Sequence, residues 1–187
     1  DYATSLNQLA LLYKRLGNYS KAEPLYIEAM NIRKDLLGEK DPDYAASLNN
    51  LGSLYYDLGN YFKAEPLFVQ AKEIRKQVLG EKHIEYSQSL NNLANFYYDL
   101  GNYSKAEQLF LQAIDIRKEV FGEKHPLYAT SLNNLANLYQ KIGNYSKAEL
   151  LYLQATEIRK QVLGKKHPGS SIRKVSGIFL HFPEYSS

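Results

Sequence analysis

The segment "SLNQLALLYKRLGNYSKAE" begins at residue 5, and close copies of it begin at residues 47, 89 and 131. A chain that repeats itself every 42 residues without gaps has little choice of architecture. Each unit has to be one supersecondary element, and the elements must bury their apolar faces against their neighbours rather than in a common centre. The units run 1–42, 43–84, 85–126 and 127–168, starting at Asp1, Asp43, Glu85 and Leu127. Nineteen of the 42 columns hold the same residue in all four units, which separates positions that every unit needs from positions at which the units differ.

Each unit reads as two helices. In unit three, Leu90, Leu93, Ala94 and Tyr97 recur at the spacing of one buried helical stripe. Gly101 supplies a left-handed helix end, and Asn102 and Ser104 are both N-cap candidates, Ser104 pairing with Glu107 as a capping box. The second helix should turn Ala106, Leu109, Phe110, Ala113, Ile116 and Val120 toward the core and stop at Gly122, before the polar connector "EKHP". Pro24 and Pro66 lie near the start of that helix, where a local distortion is expected. Gly52, Ala94 and Ala136, facing Ala64, Ala106 and Ala148, predict close helix crossings.

Composition removes several function classes. No apolar run approaches the ~18–20 residues that a membrane helix needs, and the start does not read as a signal peptide. The chain has no cysteine, which excludes disulfides and thiolate chemistry and fits a cytoplasmic location. The net charge of +3 is spread as zero on units one and two, −2 on unit three, +4 on unit four and +1 on residues 169–187, unlike the sustained basic face of a nucleic-acid binder. His83, His125 and His167 stand one full repeat apart, so they read as connector residues rather than metal ligands. Arg33, Arg75, Arg117 and Arg159 are expected to pair with acidic residues of neighbouring units. No Gly-rich phosphate loop and no catalytic constellation is visible, so neither enzyme activity nor a cofactor is expected.

Leu48, Leu51, Gly52, Tyr55, Gly59, Tyr61, Ala64, Phe68 and Ala71 resemble the spaced positions of a tetratricopeptide repeat. The common form of that repeat has about 34 residues. Here Lys34, Lys76, Lys118 and Lys160 continue the helical pattern where the usual repeat has proline, and the longer form resembles the repeats of kinesin light chains. The resemblance covers 1–168 and implies an all-α, right-handed superhelical solenoid of antiparallel helix pairs. It also implies that the first helices line a concave groove, and that the chain is a non-catalytic scaffold holding a peptide or protein segment there. Residues 169–187 align with the first helix of unit four, Ile172 on Leu132 and Phe179 on Tyr139, and are expected to form a degenerate fifth-repeat helix that caps the array.

The ligand-facing columns of the family fall, in this chain, on Asn49, Ser53, Tyr56, Asp57, Asn91, Asn95, Tyr98, Asp99, Asn133, Asn137, Gln140 and Lys141. Asparagine offers both donors and an acceptor, so a row of them can bond an extended backbone, and tyrosine adds amphipathic contact area. The column Asn7, Asn49, Asn91 and Asn133 is identical in every unit, which leaves two readings open: groove contact, or an amide ladder between repeats. The next column, Gln8, Asn50, Asn92 and Asn134, favours inter-repeat bonding. Leu11, Ser53, Asn95 and Asn137 vary, as a specificity column should. Tyr13, Tyr55, Tyr97, Tyr139, Tyr61 and Tyr103 are expected in the core. Alternatives to a peptide receptor are self-association, by end-to-end stacking or helix exchange, and, less favoured, RNA binding.

Overall fold

The computed structural model describes residues 2–166, and the expected cap at 169–187 lies outside them. The described residues form helices and connectors with no strand: α1 (Tyr2–Arg15), α2 (Tyr19–Leu37), α3 (Pro42–Asp57), α4 (Tyr61–Leu79), α5 (Ile84–Asp99), α6 (Tyr103–Phe121), α7 (Pro126–Lys141) and α8 (Tyr145–Lys166). Each unit is therefore one antiparallel helix pair.

The turn within a pair is fixed by backbone chemistry. After α5, Gly101 adopts φ +75°, and its N–H donates to Tyr98 O at 3.0 Å while Asn102 N–H donates to Tyr97 O at 2.8 Å. That is a Schellman ending, which requires a residue at ease with positive φ. Asn102 then caps α6 by accepting from Lys105 N–H at 3.3 Å, so one short link closes both helices. Ser104 lies inside the first turn rather than at the cap. The connectors between pairs are also capped. Asp41 caps α3 through its carboxylate, whereas His83 and His125 cap α5 and α7 by accepting Glu85 N–H and Leu127 N–H at Nδ1, both at 3.2 Å. His83 and His125 are thus helix caps, while His167 lies outside the described residues, and the His125 ring stacks on Phe121 at 4.2 Å.

The helices α2 and α4 run unbroken through Pro24 and Pro66. Gly52 packs closely against α4: a Cβ there would sit 3.2 Å from Phe68 Cε1 and 3.4 Å from Leu67 Cβ. Val120 departs from expectation and is exposed. One apolar strip runs from Ala10 to Ile158 through Tyr26, Phe68, Phe96 and Phe110 and so crosses all four units. Smaller clusters lie beside it in units one, two and three, built around Leu6, Leu48 and Leu90. The helices α1 and α3, and α3 and α5, touch across repeats, while no comparable contact joins neighbouring second helices among the described residues. Because α1, α3 and α5 approach one another more closely than the second helices do, these first helices lie on the inside of the bend.

Two polar joints lock each unit to the next. In the first, Tyr55, Tyr97 and Tyr139 donate to Glu23, Glu65 and Glu107 of the preceding unit at 2.8, 2.6 and 2.6 Å. Lys63, Lys105 and Lys147 of the same unit as each tyrosine lie over its ring at 4.6–4.8 Å. The recurring "KAE" therefore has a physical content: a cation for the unit's own tyrosine, a fully buried alanine, and an acceptor for the next tyrosine. In the second joint, Arg33, Arg75 and Arg117 are buried and donate to Ser47, Ser89 and Ser131 of the following unit at 3.0, 2.9 and 2.6 Å. The expected acidic pairing occurs at Arg75, which lies 3.6 Å from Glu85 Oε2. At Arg33 and Arg117 the hydroxyls and main-chain carbonyls take its place, as in the bonds to Asp43 O and Leu127 O.

The tyrosine joints give the protein an alkaline limit. Burial first, and then the bonded carboxylate, pushes Tyr55, Tyr97 and Tyr139 up to about 12. The unfolded phenol titrates near ~10. The folded chain therefore binds more protons than the unfolded chain between those values, and stability falls as pH rises through that window. Urea midpoints measured from pH 8 upward should hold level to about pH 10 and then decline. Tyr97→Phe should make that decline shallower, and an unchanged slope would contradict the assignment.

Candidate functional site

The inner face is built from one fixed amide ladder and several varied columns. Asn49 and Asn91 are buried, with relative exposures of 6% and 7%. Asn49 Nδ2 donates to Ala45 O and to Ser89 Oγ, both at 3.3 Å, and its Oδ1 accepts from Asn92 Nδ2 at 3.4 Å. Asn91 Oδ1 accepts from Asn134 Nδ2 at 2.8 Å. At Asn49 and Asn91 the first asparagine column is therefore a rung between repeats, and these two side chains do not extend free amides into the hollow as expected for groove contact, whereas the Asn7 amide is buried without a hydrogen-bond partner. The physical reason is register: the residue facing the neighbouring first helix is covered by it. Asn133, in the last described unit, is half-buried. The inter-repeat bonding expected of the second column is present at Asn92 and Asn134.

The varied columns lie differently. Asn95, Asp57, Asp99, Asn137, Gln140 and Lys141 are exposed, and Ser53, Tyr56 and Tyr98 are half-buried. Between units two and three, Asn49, Ser53, Tyr56, Asp57, Asn92 and Asn95 surround a cleft of ≈ 260 Å³ floored by Phe68 and Phe96. Lys14 of unit one reaches across to Ser53 Oγ at 2.5 Å and Asp57 at 3.0 Å. Tyr56 donates in the same way to Asp99 of the next unit, and burial, then this bond, raises its phenol well above the ordinary value. The floor was not among the expected site residues. Its signal was nonetheless present, since Phe96 replaces the leucine found at Leu12, Leu54 and Leu138. Tyr61, expected in the core, is exposed and packs edge-on against Phe96 at 6.1 Å, while Tyr103 is half-buried against Tyr98 at 6.0 Å.

Between units three and four the pattern changes. Tyr98, Asn137, Gln140, Lys141 and Tyr145 line a second hollow. The Tyr152 hydroxyl lies 2.6 Å from Asn137 Oδ1 and 2.8 Å from Gln140 Oε1, and its single hydrogen is donated to one of them at a time. Among the described residues no group of three His, Cys, Asp or Glu side chains could hold a metal ion, and no helix is long and apolar enough to cross a membrane.

The relatives of this architecture agree with it. A model of the tetratricopeptide repeat matches residues 1–77, 43–119 and 85–161, each match advancing by one unit. No curated protein sequence matches the chain. Among solved structures, BtubC (BKLC) from P. vanneervenii superposes with a TM-score of 0.77 at 25% identity, covering 99% of this chain and 68% of that one. A kinesin light chain-like protein of Podosopora anserina with nearly identical TPR-like repeats superposes at 0.70 and 26% identity, covering 86% of this chain and 76% of that one. A variant of the same protein gives 0.73. With its 42-residue units, paired helices and family matches reaching from residue 1 to residue 161, the chain belongs to the tetratricopeptide repeat family.

Proposed function

We propose that the hollow lined by α3, α5 and α7 holds an extended segment of another protein, making this chain a docking scaffold. Tetratricopeptide repeats generally serve protein–protein interaction, and proteins of this kind are typically non-catalytic. The observation that carries the finer reading is the split between columns. The fixed amides of Asn49 and Asn91 are engaged between repeats, Asn49 also bordering the first cleft, whereas the varied Ser53, Asn95 and Asn137 border the clefts beside Tyr56, Asp57, Tyr98, Gln140 and Lys141. Exposed amides beside half-buried phenols suit a peptide main chain, which offers a donor and an acceptor at nearly every residue. The aromatic floor of Phe68 and Phe96 gives one apolar side chain of the segment a place to anchor.

The test compares partner recovery by the wild type and by Asn95→Ala/Tyr98→Ala/Asn137→Ala, both immobilised at equal folded concentration. The variant should retain less than about one tenth of the bound protein, the loss expected when a central anchor and two polar contacts are removed. Equal recovery would rule out the hollow as the docking face.

A further inference from the structure

One column of the second helices departs from the repeat in a single unit. Ser20, Ser104 and Ser146 follow the first tyrosine of α2, α6 and α8, whereas α4 carries Phe62 there. Its ring is 92% exposed, more than any other large apolar side chain among the described residues. With Ile27, Met30 and Pro66 it borders a cleft of ≈ 400 Å³ between α2 and α4, over a buried floor of Leu51 and Tyr55. The repeat does not demand this lining. The second junction places Lys72 and Gln108 where the first has Met30 and Pro66, and the third keeps Ile114 and Leu150 but has Ser146 in place of the ring. One charged group lines the cleft. It is Lys63, whose Nζ lies 4.8 Å from the centre of the Tyr55 ring and has no ion-pair partner among the described residues. The carboxylate of Glu23 accepts from the Tyr55 hydroxyl at 2.8 Å and is not part of the lining.

We infer that this cleft binds a small amphiphile, a single alkyl chain with an anionic head, the chain lying on Met30, Phe62 and Pro66 and the head at Lys63. Its volume falls within the roughly 300–1,000 Å³ of small-molecule sites, which are mostly apolar with a few polar groups that fix orientation. Charge complementarity selects the head group. Lys63 is the one charge of the lining, so an alkyl cation would be repelled and a neutral chain would leave the ammonium unmatched. A second copy of the chain fits less well. One buried aromatic side chain contributes about 150–250 Å², whereas a stable interface needs roughly 1,200 Å². The cleft shares no lining residue with either hollow of the inner face, so the inference does not depend on peptide docking there.

The experiment titrates the full chain with hexanoate, octanoate and decanoate below their micellar concentrations, and with octanamide, following amide chemical shifts. Octanoate should bind one to one, and each methylene added along the series should tighten binding about fourfold. Octanamide should bind about two- to fivefold more weakly, as expected for loss of an exposed ion pair. Phe62→Ser gives α4 the residue that the other second helices carry, so it should fold, and it should weaken octanoate at least about tenfold. Lys63→Gln should abolish the difference between octanoate and octanamide, and Lys63→Arg should keep it. Absence of saturable binding, or octanoate binding that persists in Phe62→Ser, would overturn the inference. Equal affinity for octanoate and octanamide would overturn it too, leaving a cleft without charge selection. Dimerisation that rises with concentration and is lost in Phe62→Ser would give the cleft to a second copy instead. Asn95→Ala/Tyr98→Ala/Asn137→Ala should bind octanoate as the wild type does, and loss of binding there would place the ion in the hollow.

Discussion

Replacing Phe110 with alanine should lower stability by about 3–5 kcal/mol, the range for emptying a fully buried aromatic site, and should turn a single unfolding transition into two. Phe110 is 1% exposed and lies in the apolar strip that joins all four units. In a stack whose units contact only their neighbours, stability is a sum of unit and interface terms. Weakening unit three therefore lowers the coupling on both of its sides, and the two ends of the array cease to melt together. Calorimetry of the variant should show a broadened or divided peak, while Leu138→Ala in unit four should shift mainly the later-numbered end. A uniform shift with undiminished cooperativity would mean that the helix pairs share a common core.

Ser131→Ala should cost about 2–3 kcal/mol, more than the roughly 1 kcal/mol of an ordinary lost hydroxyl bond. The excess comes from Arg117. Its side chain is 2% exposed, burial pushes its guanidinium below the usual value, and no carboxylate faces it: Ser131 Oγ at 2.6 Å is its shortest acceptor. Removing that acceptor leaves a buried charge partly unpaired, whereas Arg117→Met removes the charge itself. Ser131 can then still donate to Leu127 O at 3.3 Å. Apolar replacement of a buried ion is often close to neutral, so Arg117→Met/Ser131→Ala should be more stable than Ser131→Ala alone. Chemical denaturation of the three variants gives the sign of the coupling.

The architecture was legible because the 42-residue period, the glycine-ended helices and the Leu–Ala stripes all describe one element repeated. Boundaries were legible where a cap has a single candidate, and left open where two candidates competed: Asn102, rather than Ser104, takes the cap because it also ends the preceding helix. The arginine column was harder, since a serine one unit away gives no signal of its own until the fold brings Ser47, Ser89 and Ser131 alongside. The amide columns were the hardest. Angle around a helix distinguishes core from surface, but not a surface that meets solvent from one that meets the next repeat. Identity across units was the useful clue at Asn49 and Asn91, which bond the next repeat, although the identical Asn7 is buried without a partner.

Asn91 and Asn95 lie one helical turn apart on α5, one in the fixed column and the other in the varied column. Affinity for a hollow-bound peptide, measured on Asn91→Ala and Asn95→Ala with the stability of each determined in parallel, separates the two roles. Asn91→Ala should lose about 1–3 kcal/mol of stability by stranding the Asn134 amide, yet bind normally while folded; Asn95→Ala should keep its stability and bind weakly. A fully stable Asn91→Ala that no longer bound peptide would contradict the division between joint and contact.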